Sequence, residues 1–498
     1  MRRITNPLLA NFSSNIYSGA FCDRLKKVKI VDSTLREGEQ FLHCNLKSHE
    51  KIHIAKQLIA MKIDYIETMS PIVSNATLQD CKTISALPRT NTKIVTHTRC
   101  HIDDINKAIE SGVDGINMYM ATSELLAKYS HGKAIDEIIA IAISMIKYVK
   151  SKGLEVRFSC EDSFRSDITD MLKIYSAVVD HGVDRIGIAD TVGVADSYIV
   201  RKLFKTVRKT LPTIPIEFHC HNDTGSANEN AFTAIRHGAT HIDTTVLGIG
   251  ERNGITQLGA ILSKMACNPE MLEHTKSRYN LSLLHDLDKY VATICNIQIP
   301  HCMPITGTSF VHKAGVHSNA AIKNPNSYEI LKPELFGIRR NICVASKITG
   351  KNAVRQRATE LGIVLPETEL SKLTVLIKNI FDTEEPDIAV VDRLIYAQRG
   401  SKPSALAEDN IDSIANVKLT GHLLDKDILG NVANICTRNN VVKYDIEFHP
   451  ALRDDQESVA FVKIRMGTKA ELDSIVNKLI RYVDGMNYDG FSCRLEVV

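Results

Sequence analysis

His181-Gly182-Val183-Asp184-Arg185-Ile186-Gly187-Ile188-Ala189-Asp190 decides the fold. The decapeptide closes a helix-period stretch (167–181) and opens a strand-like run (185–190), with one glycine at the joint. Glycine there provides the left-handed C-terminal cap that stops a helix before the next strand begins. The same joint recurs as Ser111-Gly112-Val113-Asp114 and His237-Gly238-Ala239-Thr240. Working outward, strand-like runs stand at 28–34, 64–70, 92–98, 115–120, 154–160, 185–190, 214–220 and 241–246. Helix-period stretches between them include 49–60, 102–111, 134–150, 167–181, 197–210 and 227–237. Eight βα units punctuated in this way predict an α/β fold that closes as a (β/α)₈ TIM barrel, not an open doubly wound sheet.

The barrel occupies 28–265, after an N-terminal leader (1–27). A mostly helical lid subdomain and linker follows (266–400), with irregular passages around Pro300-His301-Cys302 and His312-Lys313. The tail at 415–498 reads strand, helix, strand, strand, helix, strand (417–420, 425–439, 442–449, 459–466, 469–483, 491–498). That is the ferredoxin-like βαββαβ order of a small α+β domain, a type of module that often regulates or dimerises.

Composition narrows the class. In 498 residues, 44% hydrophobic and 24% charged content are ordinary globular values, and the length calls for two or three domains. A net charge of +3 without a long basic run gives no sign of nucleic-acid binding. No apolar stretch is long enough to span a membrane. Twelve scattered cysteines with no C-x-x-C pair suit reduced thiols in a cytoplasm better than a disulfide framework.

A barrel carries its chemistry where the strands end. Charged and polar residues gather at those ends: Arg36 and Glu37, Glu67, His97, Asn117, Arg157, Ser159 and Glu161, Asp190 and Thr191. At the seventh, in Ile216-Glu217-Phe218-His219-Cys220-His221-Asn222-Asp223, strand alternation puts His219 and His221 on one face about 7 Å apart. A lone H-x-H is commonly two satisfied histidines. Glu37 at the end of the first strand adds a hard oxygen donor and completes a carboxylate-His-His set for a divalent cation. A 2-oxo acid can fill two of the positions left open. Arg36 can hold its carboxylate or the developing alkoxide, and Arg157 with Ser159 and Thr191 can fix a second, distal carboxylate.

Four motifs carry a family resemblance: Ser33-Thr34-Leu35-Arg36-Glu37-Gly38-Glu39-Gln40, Phe158-Ser159-Cys160-Glu161-Asp162-Ser163-Phe164-Arg165, His219-Cys220-His221-Asn222-Asp223-Thr224-Gly225, and Leu247-Gly248-Ile249-Gly250-Glu251-Arg252-Asn253-Gly254-Ile255-Thr256. With them the chain resembles the metallolyase-type TIM-barrel family of homocitrate, isopropylmalate and citramalate synthases and hydroxymethylglutaryl-CoA lyase. The likeness is greatest to homocitrate synthases, over 28–375. It implies a transferase that condenses acetyl-CoA with 2-oxoglutarate and serves lysine biosynthesis. Glu37, His219 and His221 would hold the divalent metal (Mg, Mn, Zn or Co). Arg36, Gln40, Glu67, His97, Arg157, Ser159 and Thr191 would line the oxo-acid pocket. His317, supported by Tyr328 and Glu161, would take the methyl proton, with Arg36 also in the catalytic set. The family's lid crosses between subunits, so a homodimer is implied.

Asn117 replaces the aspartate that fungal-type homocitrate synthases carry in a segment tied to lysine inhibition, which implies weak or absent inhibition although Glu217 is present. The tail around Thr420-Gly421-His422-Leu423-Leu424 resembles the small domain of bifunctional lysine-ketoglutarate reductase/saccharopine dehydrogenase enzymes. Other acceptors within the family, oxaloacetate first among them, and an inactive barrel acting as a sensor or scaffold are the competing readings. Arg157 and His97 favour a dicarboxylic acceptor. The joint presence of Glu37, His219, His221, His317 and Tyr328 speaks against a dead barrel.

Overall fold

The computed structural model describes residues 19–131, 133–267, 269–307, 310–338 and 340–398, and the strands at 413–421, 443–449, 458–466 and 493–497. Eight parallel strands close on themselves in sequence order: β1 (Lys29–Asp32), β2 (Tyr65–Thr68), β3 (Lys93–Arg99), β4 (Gly115–Ala121), β5 (Glu155–Glu161), β6 (Arg185–Asp190), β7 (Ile216–Cys220) and β8 (His241–Thr244). β8 pairs with β1, His241 opposite Lys29 and Thr244 opposite Asp32, which seals the barrel. The expected (β/α)₈ architecture is thus present, each predicted strand falling within a few residues of its place.

Helix α1 (Gly19–Lys27) precedes the barrel. Then α2 (Ser48–Ala60), α3 (Asn75–Ser85), α4 (Ile102–Glu110), α5 (Ile135–Ser151), α6 (Ile168–Asp180), α7 (Ser197–Thr210), α8 (Ala227–Arg236) and α9 (Leu258–Ala266) alternate with the strands and follow the last. The last nine residues of the 1–27 leader form α1, which buries Cys22 and Leu25. Two apolar side chains three residues apart among Arg and Lys make too short a period to read, and the helix gains its support from the barrel it covers. Residues 1–18 lie outside the described region.

The apolar core lies between strands and helices. Ile30, Ile66, Ile94, Ile116, Phe158, Ile186, Phe218 and Ile242 are all fully buried there. The other face of each strand points into the lumen, and its occupants are unusual. Besides the apolar cluster Val31, Tyr65 and Val95, the buried lumen holds Glu67, Asn117, Arg157, Arg185, Glu217 and Asp243. Buried charges are tolerated only where partners satisfy them. Here Arg157 pairs with Glu217 at 2.6 Å, and Arg185 pairs with Glu217 at 2.9 Å and with Glu155 at 2.6 Å.

Beyond the barrel run α10 (Pro269–Arg278), α11 (Leu284–Ile294), α12 (Gly315–Lys323), α13 (Lys351–Glu360), α14 (Glu367–Ile380) and α15 (Ile388–Ala397), with a two-stranded pair, β9 (Val311–His312) and β10 (Asn341–Ile342). The chain divides into two compact units, one of Met1–Gln356 with Thr374–Pro386, the other of Arg357–Leu373 with Asp387–Val498. In the second, β11 (Ser413–Gly421), β12 (Lys443–His449), β13 (Ser458–Met466) and β14 (Cys493–Val497) form an antiparallel sheet in the order β12-β13-β11-β14. The first strand between the third and fourth is the arrangement a βαββαβ chain makes. The two helices expected at 425–439 and 469–483 lie outside the described residues. Among the described residues no helix is long and apolar enough to cross a membrane.

Candidate active site at the barrel mouth

The C-terminal strand ends surround a cavity of about 650 Å³. Glu37 reaches it from the turn after β1, and His219 and His221 from the end of β7. Donor atoms of these three residues lie within 4.8 Å of one another. His219 Nε2 is 3.1 Å from His221 Nε2 and 4.0 Å from Glu37 Oε2. Bonds of about 2.1 Å at right angles to one cation would set neighbouring donors ~3 Å apart, so the spacing suits a shared ion.

The protonation states suit it as well. Burial pushes His219 down to about 4 and, with His219 beside it, His221 down to about 3, so both imidazoles are neutral at pH 7. Burial alone would raise Glu37, but Arg36 and the two imidazoles outweigh it and hold the carboxyl at about 2. A carboxylate with two neutral imidazoles is a donor set that a divalent cation can use.

Local sequence explains the positions. Glu251 N–H donates to Glu37 Oε1 at 2.8 Å, and a Cβ on Gly250 would come within 2.8 Å of the same oxygen. Gly254 has φ +76°, and a Cβ there would collide with Gly248 O. The glycines of the 247–256 motif therefore let backbone close over the carboxylate. On the other side Arg36 donates to Glu37 (2.6 Å), Glu67 (2.8 Å) and Gln40 (3.3 Å).

The same cavity is lined by Arg36, Gln40, His97, Arg157, Ser159, Glu161 and Thr191. Arg157 commits one nitrogen to Glu217, while its buried Nε has no partner and remains a donor to spend. Thr191 Oγ1 accepts Asp162 N–H at 2.9 Å, which leaves its proton for a ligand. Ser159 instead donates to Gly187 O at 3.1 Å. Burial, then Arg36, pushes His97 down to about 4, so it meets the cavity as a neutral ring stacked on Tyr119. Burial raises Glu161.

Three expected residues stand elsewhere. Glu67 is wholly buried beneath Arg36, also accepting from Asn117 at 2.6 Å, and does not line the cavity. His317 on α12 and Tyr328 face each other with ring centroids 4.3 Å apart. Both are exposed and neither lines the cavity. The neighbouring Glu329, bonded to His312 at 2.8 Å and to Arg340 at 2.7 Å, holds that segment in shape.

Residues 27–291 match the HMGL-like family model, and 305–385 match the model described as homocitrate synthase post-HMGL domain-like. The chain is 48% identical to the mitochondrial homocitrate synthase of Schizosaccharomyces pombe, over 75% of this chain and 89% of that one. The chain belongs to the homocitrate synthase family. Two Saccharomyces cerevisiae homocitrate synthases, one mitochondrial and one cytosolic, are each 44% identical, over 85% and 76% of this chain and 97% and 87% of theirs.

Two features of this homocitrate synthase-family site were not read from sequence. Asp243 on β8 takes His219 Nδ1 at 2.7 Å, which turns His219 Nε2 toward Glu37 and His221. Burial and the charge of Glu67 push Asp243 up to about 7. Its signal was an acid in the middle of a strand. Arg252 donates to Asp223 (2.8 Å) and to Thr191 O (2.8 Å), tying two mouth loops together. Arg252 has φ +55°, a position no residue pattern announced.

Proposed function

We propose that this chain condenses acetyl-CoA with 2-oxoglutarate and hydrolyses the resulting thioester, releasing homocitrate and CoA. The carrying observation is that Glu37, His219 and His221 share one cavity with Arg36 and Arg157, two fixed cations for a two-carboxylate acceptor. The family named above supports the same reading. Glu37, His219 and His221 would hold a divalent cation, which would supply Lewis-acid polarisation of the acceptor's ketone. Two imidazoles and a carboxylate accept Mg, Mn, Zn or Co, with availability deciding among them.

The protein's own groups do the rest. Arg36 faces the acceptor's reacting end and steadies the carboxylate and the alkoxide that forms. Arg157 Nε and the Thr191 hydroxyl receive the distal carboxylate. Neutral His97 offers a hydrogen bond without repelling Arg36. His317 removes a proton from the acetyl methyl group, oriented by Tyr328 and aided by Glu161, which burial keeps easier to protonate. Attack of that carbon on the ketone forms the new C–C bond, and water then cleaves the thioester. Thiol release from acetyl-CoA tests the proposal directly. It is expected with 2-oxoglutarate and at least tenfold less with oxaloacetate, pyruvate or 2-oxoisovalerate. Equal release with oxaloacetate overturns the choice of acceptor.

His317 and Tyr328 must then come from a second copy, since they do not line the mouth of their own barrel. The working protein is on this reading a homodimer with exchanged lids. Mixing inactive His317→Ala and inactive His219→Ala chains is expected to restore about a quarter of wild-type activity, because one hybrid site in a mixed dimer is whole. No recovery after subunit exchange sinks the crossing.

Lysine is expected not to inhibit. Asn117 is buried, donates to Glu67 and accepts Arg185 Nη2 at 3.3 Å, and Glu217 is paired with two arginines. Neither Asn117 nor Glu217 therefore offers a free carboxylate to an ε-ammonium group. Millimolar lysine should leave the rate unchanged, and tight competitive inhibition would refute this.

The division into leader (1–27), barrel (28–265), lid and linker (266–400) and C-terminal domain (415–498) belongs to the same proposal, the last serving regulation. The proposed compartment is the cytoplasm, where the thiols stay reduced; none of the ten described cysteines is in a disulfide.

A further inference from the structure

Opposite the catalytic mouth, where α7 hands on to β7 and α8 to β8, lies a second cavity of about 540 Å³. Its lining holds Arg24, Lys27, Lys205, Arg208 and Lys209, with His237 beside them and no carboxylate. Three helix C-termini meet here, those of α1, α7 and α8, and each ends in basic residues. Any one of these is ordinary complementation of a helix dipole. Their convergence is not ordinary.

Arg208 is spent on the fold. Its Nε donates to Gly238 O at 3.1 Å and its Nη1 to Leu211 O at 3.2 Å, so it braces the wall. Arg24 donates to Arg236 O. Lys27, Lys205 and Lys209 are exposed, and among the described residues none of them has an ion pair. Burial, then Arg24, holds Arg208 down at about 10, and His237 is lowered by burial and then by Lys205, Arg201, Arg24 and Arg236. The cluster is electrostatically unrelieved, and residues 1–18, which precede α1, contain no Asp or Glu to relieve it. Like charges gathered without a counter-charge mark a place for an anion.

We infer that this cavity binds a polyphosphate group, either inorganic tripolyphosphate or the triphosphate of a nucleotide. Several negative charges on a chain of tetrahedral groups match several mobile ammonium groups around one space, and the volume falls in the range of small-molecule sites. The net charge of +3 hides the site, because the cations are gathered from three distant parts of the chain.

The test is calorimetric titration of the full-length chain, at about 0.1 M salt, with tripolyphosphate, with ATP and with sulfate. One saturable site per chain is expected for tripolyphosphate, with sulfate binding at least tenfold more weakly. Competition by ATP would assign the site to nucleotides, and its failure to inorganic polyphosphate. The double variant Lys205→Glu/Lys209→Glu should weaken binding at least tenfold while kcat and KM for thiol release stay unchanged. The neutral pair Lys205→Gln/Lys209→Gln should give an intermediate loss and guards against misfolding. Binding that survives both variants belongs to the metal-binding mouth and overturns the inference. So does the absence of saturable binding, or tighter binding of single-stranded RNA than of tripolyphosphate.

Discussion

His219→Ala is expected to lower the rate of thiol release by about 10³-fold or more, a loss of ~4 kcal/mol in transition-state stabilisation. The variant removes one of two imidazole donors and leaves Asp243 without the ring that it orients at 2.7 Å. Bound metal, measured after dialysis, should fall with the rate, while circular dichroism stays unchanged because the ring sits at the mouth and not in the apolar core. Asp243→Asn keeps the ligand and disturbs only its orientation, so a smaller loss, about 10- to 100-fold, is expected. Full turnover by His219→Ala, or by wild-type protein after exhaustive chelation, would remove the cation from the reaction.

Arg36→Lys is expected to cost about 10²- to 10³-fold in kcat/KM for the oxo acid, although the charge is kept. The guanidinium serves Glu37, Glu67 and Gln40 from one rigid plane while facing the cavity. A lysine is a single point charge that cannot span those acceptors. Glu67, fully buried, would keep only Asn117 and His97, and truncating one partner of a buried charge pair typically costs 2–5 kcal/mol. Separate measurement of kcat, KM and metal content discriminates the causes. Retained metal with a raised KM and a lowered kcat is the expected result. Lost metal with unchanged KM would make Arg36 a support for Glu37 alone.

Much of the site was legible before the structure because its chemistry is local. The two-residue alternation of β7 puts His219 and His221 inward whatever surrounds them, and the motif after β1 carries Arg36, Glu37 and Gln40 within five residues. The C-terminal strands were legible for the same reason, their turn residues and β-branched runs being short-range signals. Residues whose roles depend on a distant neighbour were not. Asn117 reads as an open strand-end amide, yet Glu67 from β2 and Arg185 from β6 occupy both its ends. Glu217 reads as a spare carboxylate, yet two lumen arginines consume it.

The sequence by itself determined the eight-fold βα repeat, the candidate set Glu37, His219 and His221 and the order of strands in the tail, since hydrophobic period, glycine caps and motif spacing act within a few residues of chain. Only the tertiary structure decided that Asp243 orients His219, that Glu67 lies under Arg36 and that five cations surround one cavity beneath the barrel. Those arrangements arise when β8 closes onto β1 and α1 folds across the base. Closure sets neighbours that are more than two hundred residues apart in the chain, and a one-dimensional pattern specifies which face a side chain takes, not what it meets there.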